Sequence, residues 1–167
     1  MKKWKEIKKE GYNLIVNQGG KTVAYSKESN IKIIEKDGYA FKNLSKSGKV
    51  EKYEDWRLPV EERAKDLASK MTIKQIAGLM LYSVHQAVST GQDPFSKMFQ
   101  GIYDGKKLEE SNASIEDLSD QQKDFLENDD LRHVLVTIVD NAKTSAKWNN
   151  NLQAYGRVLL RWIPNIK

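Results

Sequence analysis

The sequence has no cysteine and only two histidines in 167 residues. Disulfides, thiolate metal sites and cysteine nucleophiles are therefore excluded, and a zinc site would have to recruit carboxylates for its other ligands. No metal or other cofactor is expected on these grounds. No apolar run approaches the roughly 20 residues that span a bilayer, so no membrane partner is expected either. The start, "MKKWKEIKKEGYNLIV", has the charge of a signal peptide without its apolar segment or small-residue cleavage site, which makes the cytoplasm the expected compartment. Arginine is missing before Arg57. A lysine-rich front thus lacks the side chain that best makes bidentate contacts to phosphate.

What is present is unevenly charged. Residues 1–52 carry 13 lysines against 6 acids, whereas 104–130 carry 10 acids against 3 lysines, within a net charge of +5. Trp4, Tyr12, Tyr25, Tyr39 and Phe41 lie among the lysines, as bases stacked on a basic surface would require. Lysines alternating with apolar residues are equally the pattern of a strand with one solvated face, and nucleic acid is not the expected partner.

From Tyr12 to Tyr53, short alternating runs are separated by Gly19-Gly20, Ser29-Asn30, Asp37-Gly38 and Ser47-Gly48. The Gly-Gly and Asp-Gly pairs supply the positive φ of tight hairpins, so a small antiparallel sheet is expected. Beyond Pro59 the period changes. Val60, Ala64, Leu67, Ala68 and Met71 mark an amphipathic helix, and Thr72 with Gln75 forms a capping box that opens a second, carrying Ile76, Leu79, Met80 and Val84. Residues 89–113 are rich in turn formers and read as a long connection with at most a short helix between Phe95 and Ile102. Ser119 and Gln122 form another capping box ahead of "DQQKDFLEN". "HVLVTIV", 133–139, reads as a parallel strand covered on both faces. Asp140-Asn141 then caps a helix that Gly156 is placed to end. The returning strand should follow, yet the next residues are "RVLLRWIPNIK".

The stretch "RAKDLASKMTIKQIAGLML", followed some fifty residues on by "LRHVLVTI" and "AKWNNNLQAYG", resembles the amino-terminal part of glycoside hydrolase family 3, the β-glucosidase and β-xylosidase family. The likeness rests on Leu67, Met71, Thr72, Ile76, Gly78, Leu79, Met80 and Leu81, then on Trp148, Asn149, Leu152 and Gln153, and spans about residues 55–155. It implies an α/β fold in which residues 56–167 are helices and the first βα unit of an incomplete (β/α)8 barrel, while residues 1–55, ahead of the likeness, are by their turn signals a separate basic β-hairpin region. It also implies a parental activity on β-linked glycosides. The family's nucleophile and acid/base lie on later parts of that barrel, which the resemblance does not reach. No catalytic, cofactor-binding or metal-binding residue is therefore assigned, and a chain of this kind is expected to be inactive and to self-associate. Lys74-Gln75 stands where acidic residues are commoner in the family, and Ile163-Pro164 keeps one fragment of the pattern that follows the last helix.

Other candidates are weaker. Glu61-Glu62, Glu109-Glu110 and Asp129-Asp130 are adjacent acids in polar stretches, whereas retaining hydrolysis needs two carboxylates about 5 Å apart across the bond. His133 reads as a sheet-end residue, His85 as a cation near a helix end, and Trp148 as a packing residue. "VNQGGKT", 16–22, lacks the spacing of a phosphate loop and reads as a hairpin turn. Besides the glycosidase fragment, a small lysine-rich binding module with a helical tail stays open.

Overall fold

The computed structural model describes residues 1–159 and divides the chain into two compact units, one built on Met1–Met71 and the other on Thr72–Gly156. No helix among the described residues is long and apolar enough to cross a membrane.

The first unit holds a three-stranded antiparallel sheet of β1 (Trp4–Lys8), β2 (Tyr12–Asn17) and β3 (Thr22–Ser26), and a hairpin of β4 (Lys32–Lys36) and β5 (Tyr39–Asn43). Asp37 and Gly38, with φ of 56° and 83°, turn the second hairpin as the sequence expects. β1 was not expected; it alternates lysine with Trp4 and Ile7 and pairs along its whole length with β2. The expected single sheet is therefore two, and Asn17 joins them. Its buried amide accepts from Ala40 N at 2.8 Å and donates to Ala40 O at 3.2 Å, giving an edge of β5 the partner it would otherwise lack. Ile15, Ala40 and Phe41 are fully buried, and Trp56 stacks on Phe41 with ring centroids 5.3 Å apart. Arg57 closes this side through two hydrogen bonds to the buried carboxylate of Asp55, 2.8 and 2.7 Å long, and a third to Asp37.

The helix expected after Pro59 is α1 (Val60–Ala68), with Pro59 at its cap. It docks on a 3₁₀ turn at Lys52–Glu54 through its polar side. Asp66 accepts from Tyr53 N, Arg63 donates to Tyr53 O, and Lys70 pairs with Asp66 and Glu51. The apolar stripe is not what this unit buries: Val60, Ala64 and Ala68 are exposed.

The second unit opens with α2 (Ile73–Met80), capped by Thr72 and Gln75 as read from the sequence. The helix ends at Met80, so Val84 lies beyond it. Gly78 is buried and packed on the chain at 129–130, where a Cβ would meet the Asp130 carbonyl oxygen at 2.5 Å. Next comes β6 (Gln86–Val88), a strand the sequence reading passed over, buried at all three residues. α3 (Pro94–Phe99) is the short helix expected there, capped by Asp93. β7 (Ile102–Tyr103) and β8 (Lys106–Lys107) form a small hairpin about Asp104-Gly105. α4 (Asp120–Glu127) carries the expected capping box. β9 (Val136–Val139) pairs in parallel with β6, and α5 (Ala142–Leu159) follows, with Asn141 Oδ1 accepting from Thr144 N.

Three expectations change here. The strand within 133–139 does have a parallel partner, and it lies upstream in β6 rather than after Gly156. β9 is not covered on both faces: Thr137 and Val139 are exposed, because the sheet has only two strands among the described residues. α5 also continues through Gly156, whose missing side chain serves no close contact. A glycine inside a helix costs only about 1 kcal/mol, too little to stop it alone. Ile163-Pro164 lies outside the described residues.

Candidate functional site

In parallel α/β sheets, ligand sites form outside the carboxyl ends of the strands. In the second unit that place is where β6 runs into Ser89-Thr90 and β9 into Asp140-Asn141. Asp140 N donates to Val88 O at 3.2 Å, so the two strand ends leave the sheet together. The Asp140 carboxylate accepts from Thr90 N at 3.0 Å and from Thr90 Oγ1 at 2.9 Å. Burial pushes this carboxyl up, but the hydroxyl of Ser89 and the donors of Thr90 outweigh that and hold it below the ordinary range. Gln100 fixes the next turn by donating to Ser89 O and Gly91 O at 2.8 and 2.9 Å.

An open cavity of about 500 Å³ adjoins these residues, with Thr90, Lys97, Gln100, Lys107 and Glu109 on its walls. Two ammonium groups, one carboxylate and neutral amide and hydroxyl groups suit hydroxyl or anionic ligand groups. One carboxylate does not make the facing pair that glycoside hydrolysis uses.

Beneath the sheet, polar groups are satisfied by one another. Gln122 of α4 accepts from the Trp148 indole N–H at 2.9 Å and donates to Gln86 of β6 at 3.4 Å. Trp148 is 5 % exposed, a packing residue as the sequence reading has it, tying α5 to α4 and β6.

The remaining candidates stay apart from this place. Glu61 and Glu62 are exposed on the first turn of α1, in the other unit. Glu110 is exposed beside Glu109, and Asp130 pairs with Lys74 and Arg132. His133 is exposed at the sheet end, bridged to Tyr82. His85 is not at a helix end; it precedes β6, where its Nδ1 lies 2.6 Å from Thr137 Oγ1 and its ring rests on Phe99. Residues 16–22 span the end of β2, the turn at 18–21 and the first residue of β3. Among the described residues, no three His, Cys, Asp or Glu side chains gather to hold a metal. Sequence reasoning read 89–113 as a turn-rich connection without singling out Thr90 or Gln100, which lies just past α3; the signal that could have found them was β6 itself.

Comparison with known proteins adds one finding. No protein-family model matches the chain. Over 50 residues it is 50% identical to a periplasmic beta-glucosidase/beta-xylosidase of Dickeya chrysanthemi, a stretch that covers 30% of this chain and 8% of that protein. The chain thus has a local likeness to a glycoside hydrolase and spans a small part of the relative's length.

Proposed function

We propose that the chain is an amino-terminal part of a β-glucosidase-like glycoside hydrolase of family 3. In this reading residues 1–55 are a basic β-hairpin region preceding the family's own sequence. Residues 56 onward supply the opening strands and helices of a (β/α)8 barrel. The observation that carries the reading is the 50% identity over 50 residues to a β-glucosidase/β-xylosidase. The parallel pairing of β6 with β9, each followed by a helix, supports it, since a barrel is built by repeating that unit.

The parental substrates are β-linked glycosides, and the chain by itself is inactive, with no catalytic residue of its own. Its basic front stays free of nucleic acid, and its uncovered apolar side chains drive self-association. The compartment proposed is the cytoplasm, although the relative is named as periplasmic; cell fractionation decides between them. The direct test is a chimera in which residues 56–156 replace the matching segment of the Dickeya enzyme. Retained turnover of aryl β-glucosides supports the reading, and a folded but inactive chimera counts against it. The chain alone should release no aryl alcohol above a buffer blank; turnover that survives repurification would contradict its inactivity.

A further inference from the structure

The cavity beside Thr90 draws its charges from three different elements of the second unit. Lys97 comes from α3, Lys107 from the hairpin of β7 and β8, and Glu109 from the 3₁₀ turn at Leu108–Glu110. The hairpin register pairs Lys107 with Ile102, and Leu108 adds further apolar lining.

Neighbouring interactions hold these walls in place. The Asp120 carboxylate accepts from the amides of Asp104 and Gly105 at 3.0 and 2.9 Å, clamping the hairpin turn to the start of α4. Gln121 accepts from Ile102 N at 3.1 Å. Gly101 is buried against Ser119, where a Cβ would lie 2.3 Å from that side chain. Gln100 gives its amide hydrogens to Ser89 O and Gly91 O, so it meets a ligand as an acceptor through Oε1.

The protein does not use the charges of the cavity itself. Nearby acids already have cations, Asp104 and Asp120 in Lys123 and Glu116 in Lys147. Among the described residues no ion pair or hydrogen bond engages the side chain of Lys97, Lys107 or Glu109. Two unmatched ammonium groups, a carboxylate and an amide acceptor select among ligands. A neutral ligand leaves both lysines unmatched, and an apolar anion offers no hydrogen to Glu109 or Gln100. A ligand that carries a carboxylate together with several hydroxyls satisfies all four groups. The volume of about 500 Å³ lies within the range of small-ligand sites, ~300–1,000 Å³.

We propose that this cavity binds an acidic sugar, a pyranose ring with a carboxylate at C6. Lys97 and Lys107 hold the carboxylate, and Glu109 and Gln100 accept from ring hydroxyls. The choice of a sugar among hydroxylated anions rests on the glycoside hydrolase reading above, whereas the choice of an anion rests on the two lysines.

The test is titration of the full chain with methyl β-glucuronide and methyl β-glucoside, which differ only in the group at C6, followed by amide NMR shifts. The glucuronide should bind about fivefold more tightly or better, with shifts concentrated at 90–115 and the preference lost in about 1 M salt. Lys97→Gln with Lys107→Gln should abolish the preference while leaving the shifts of other regions unchanged. Acetate, an anion without hydroxyls, should bind more weakly than the glucuronide. Equal affinity for the two glycosides, no saturable binding of the glucuronide up to ~50 mM, shifts centred elsewhere or a preference that survives in the double variant would overturn the proposal. Acetate binding as tightly as the glucuronide would overturn the assignment to a sugar. These outcomes leave the glycoside hydrolase reading to its own test, since the chimera is assayed on neutral aryl β-glucosides.

Discussion

Residues 1–71 and 72–156 use similar lengths of chain to close their cores in different ways. In the first unit every strand partner is a sequence neighbour, the two sheets are joined by Asn17, and Phe41, Trp56 and Ile15 are enclosed. In the second, β6 finds β9 some fifty residues away, and large apolar side chains stay in water: Ile73 is 87 % exposed, Met80 79 % and Val84 71 %. α2 shows the contrast within a single element, since Gln75 and Gly78 are buried while Ile73 and Met80 face out. α1 in the first unit likewise docks its polar side and leaves Val60, Ala64 and Ala68 exposed, so each unit has a helix whose apolar residues meet solvent among the described residues. The lesson is that local hairpins complete themselves, whereas a parallel βα array is finished only by its next members.

The comparison is sharpened most by a change in the better-closed core. Phe41→Ala removes a fully buried ring stacked on Trp56 and should cost about 3–5 kcal/mol, seen as loss of the most protected part of the unfolding curve. In the other unit, Gly78→Ala puts a methyl against the Asp129 and Asp130 carbonyls and should cost about 1–3 kcal/mol by forcing α2 off that chain. If the alanine variant melts like the parent, α2 is not held there.

A smaller effect separates the units by pH. The Arg57 hydrogen bonds hold the Asp55 carboxyl below its ordinary value, more than offsetting the burial that pushes it up. Its folded value lies under its unfolded one, so its contribution is complete above about pH 4 and fades as the pH falls through the folded value. Denaturant midpoints for residues 1–71 should therefore drop in that acid window. Asp55→Asn should flatten that slope; an unchanged slope would show that other carboxylates set it.

Sequence was most readable where a short pattern carries its own geometry. The capping boxes at Thr72/Gln75 and Ser119/Gln122, the Asp37-Gly38 hairpin and the Asn141 cap all formed, because a cap or turn needs only residues within reach along the chain. β6 escaped notice because three residues, one of them Gln86, show no period; its burial is set by β9 and by the Gln122–Trp148 pair. The full burial assigned to "HVLVTIV" came from its apolar run, which reports what a strand is built to meet rather than what the chain provides. The strand-end groups Ser89, Thr90 and Asp140 became a candidate site only once β6 was known to end there.

Amide hydrogen exchange on the monomeric protein tests the contrast most directly. We expect slow exchange for bonded amides of β2 and β5, such as Ala40, and fast exchange for 136–139 and for α2, whose apolar sides are open to water. Protection of 136–139 equal to that of β5, in a monodisperse monomer, would mean that the second unit is closed by this chain alone and would contradict its reading as the opening of a larger barrel.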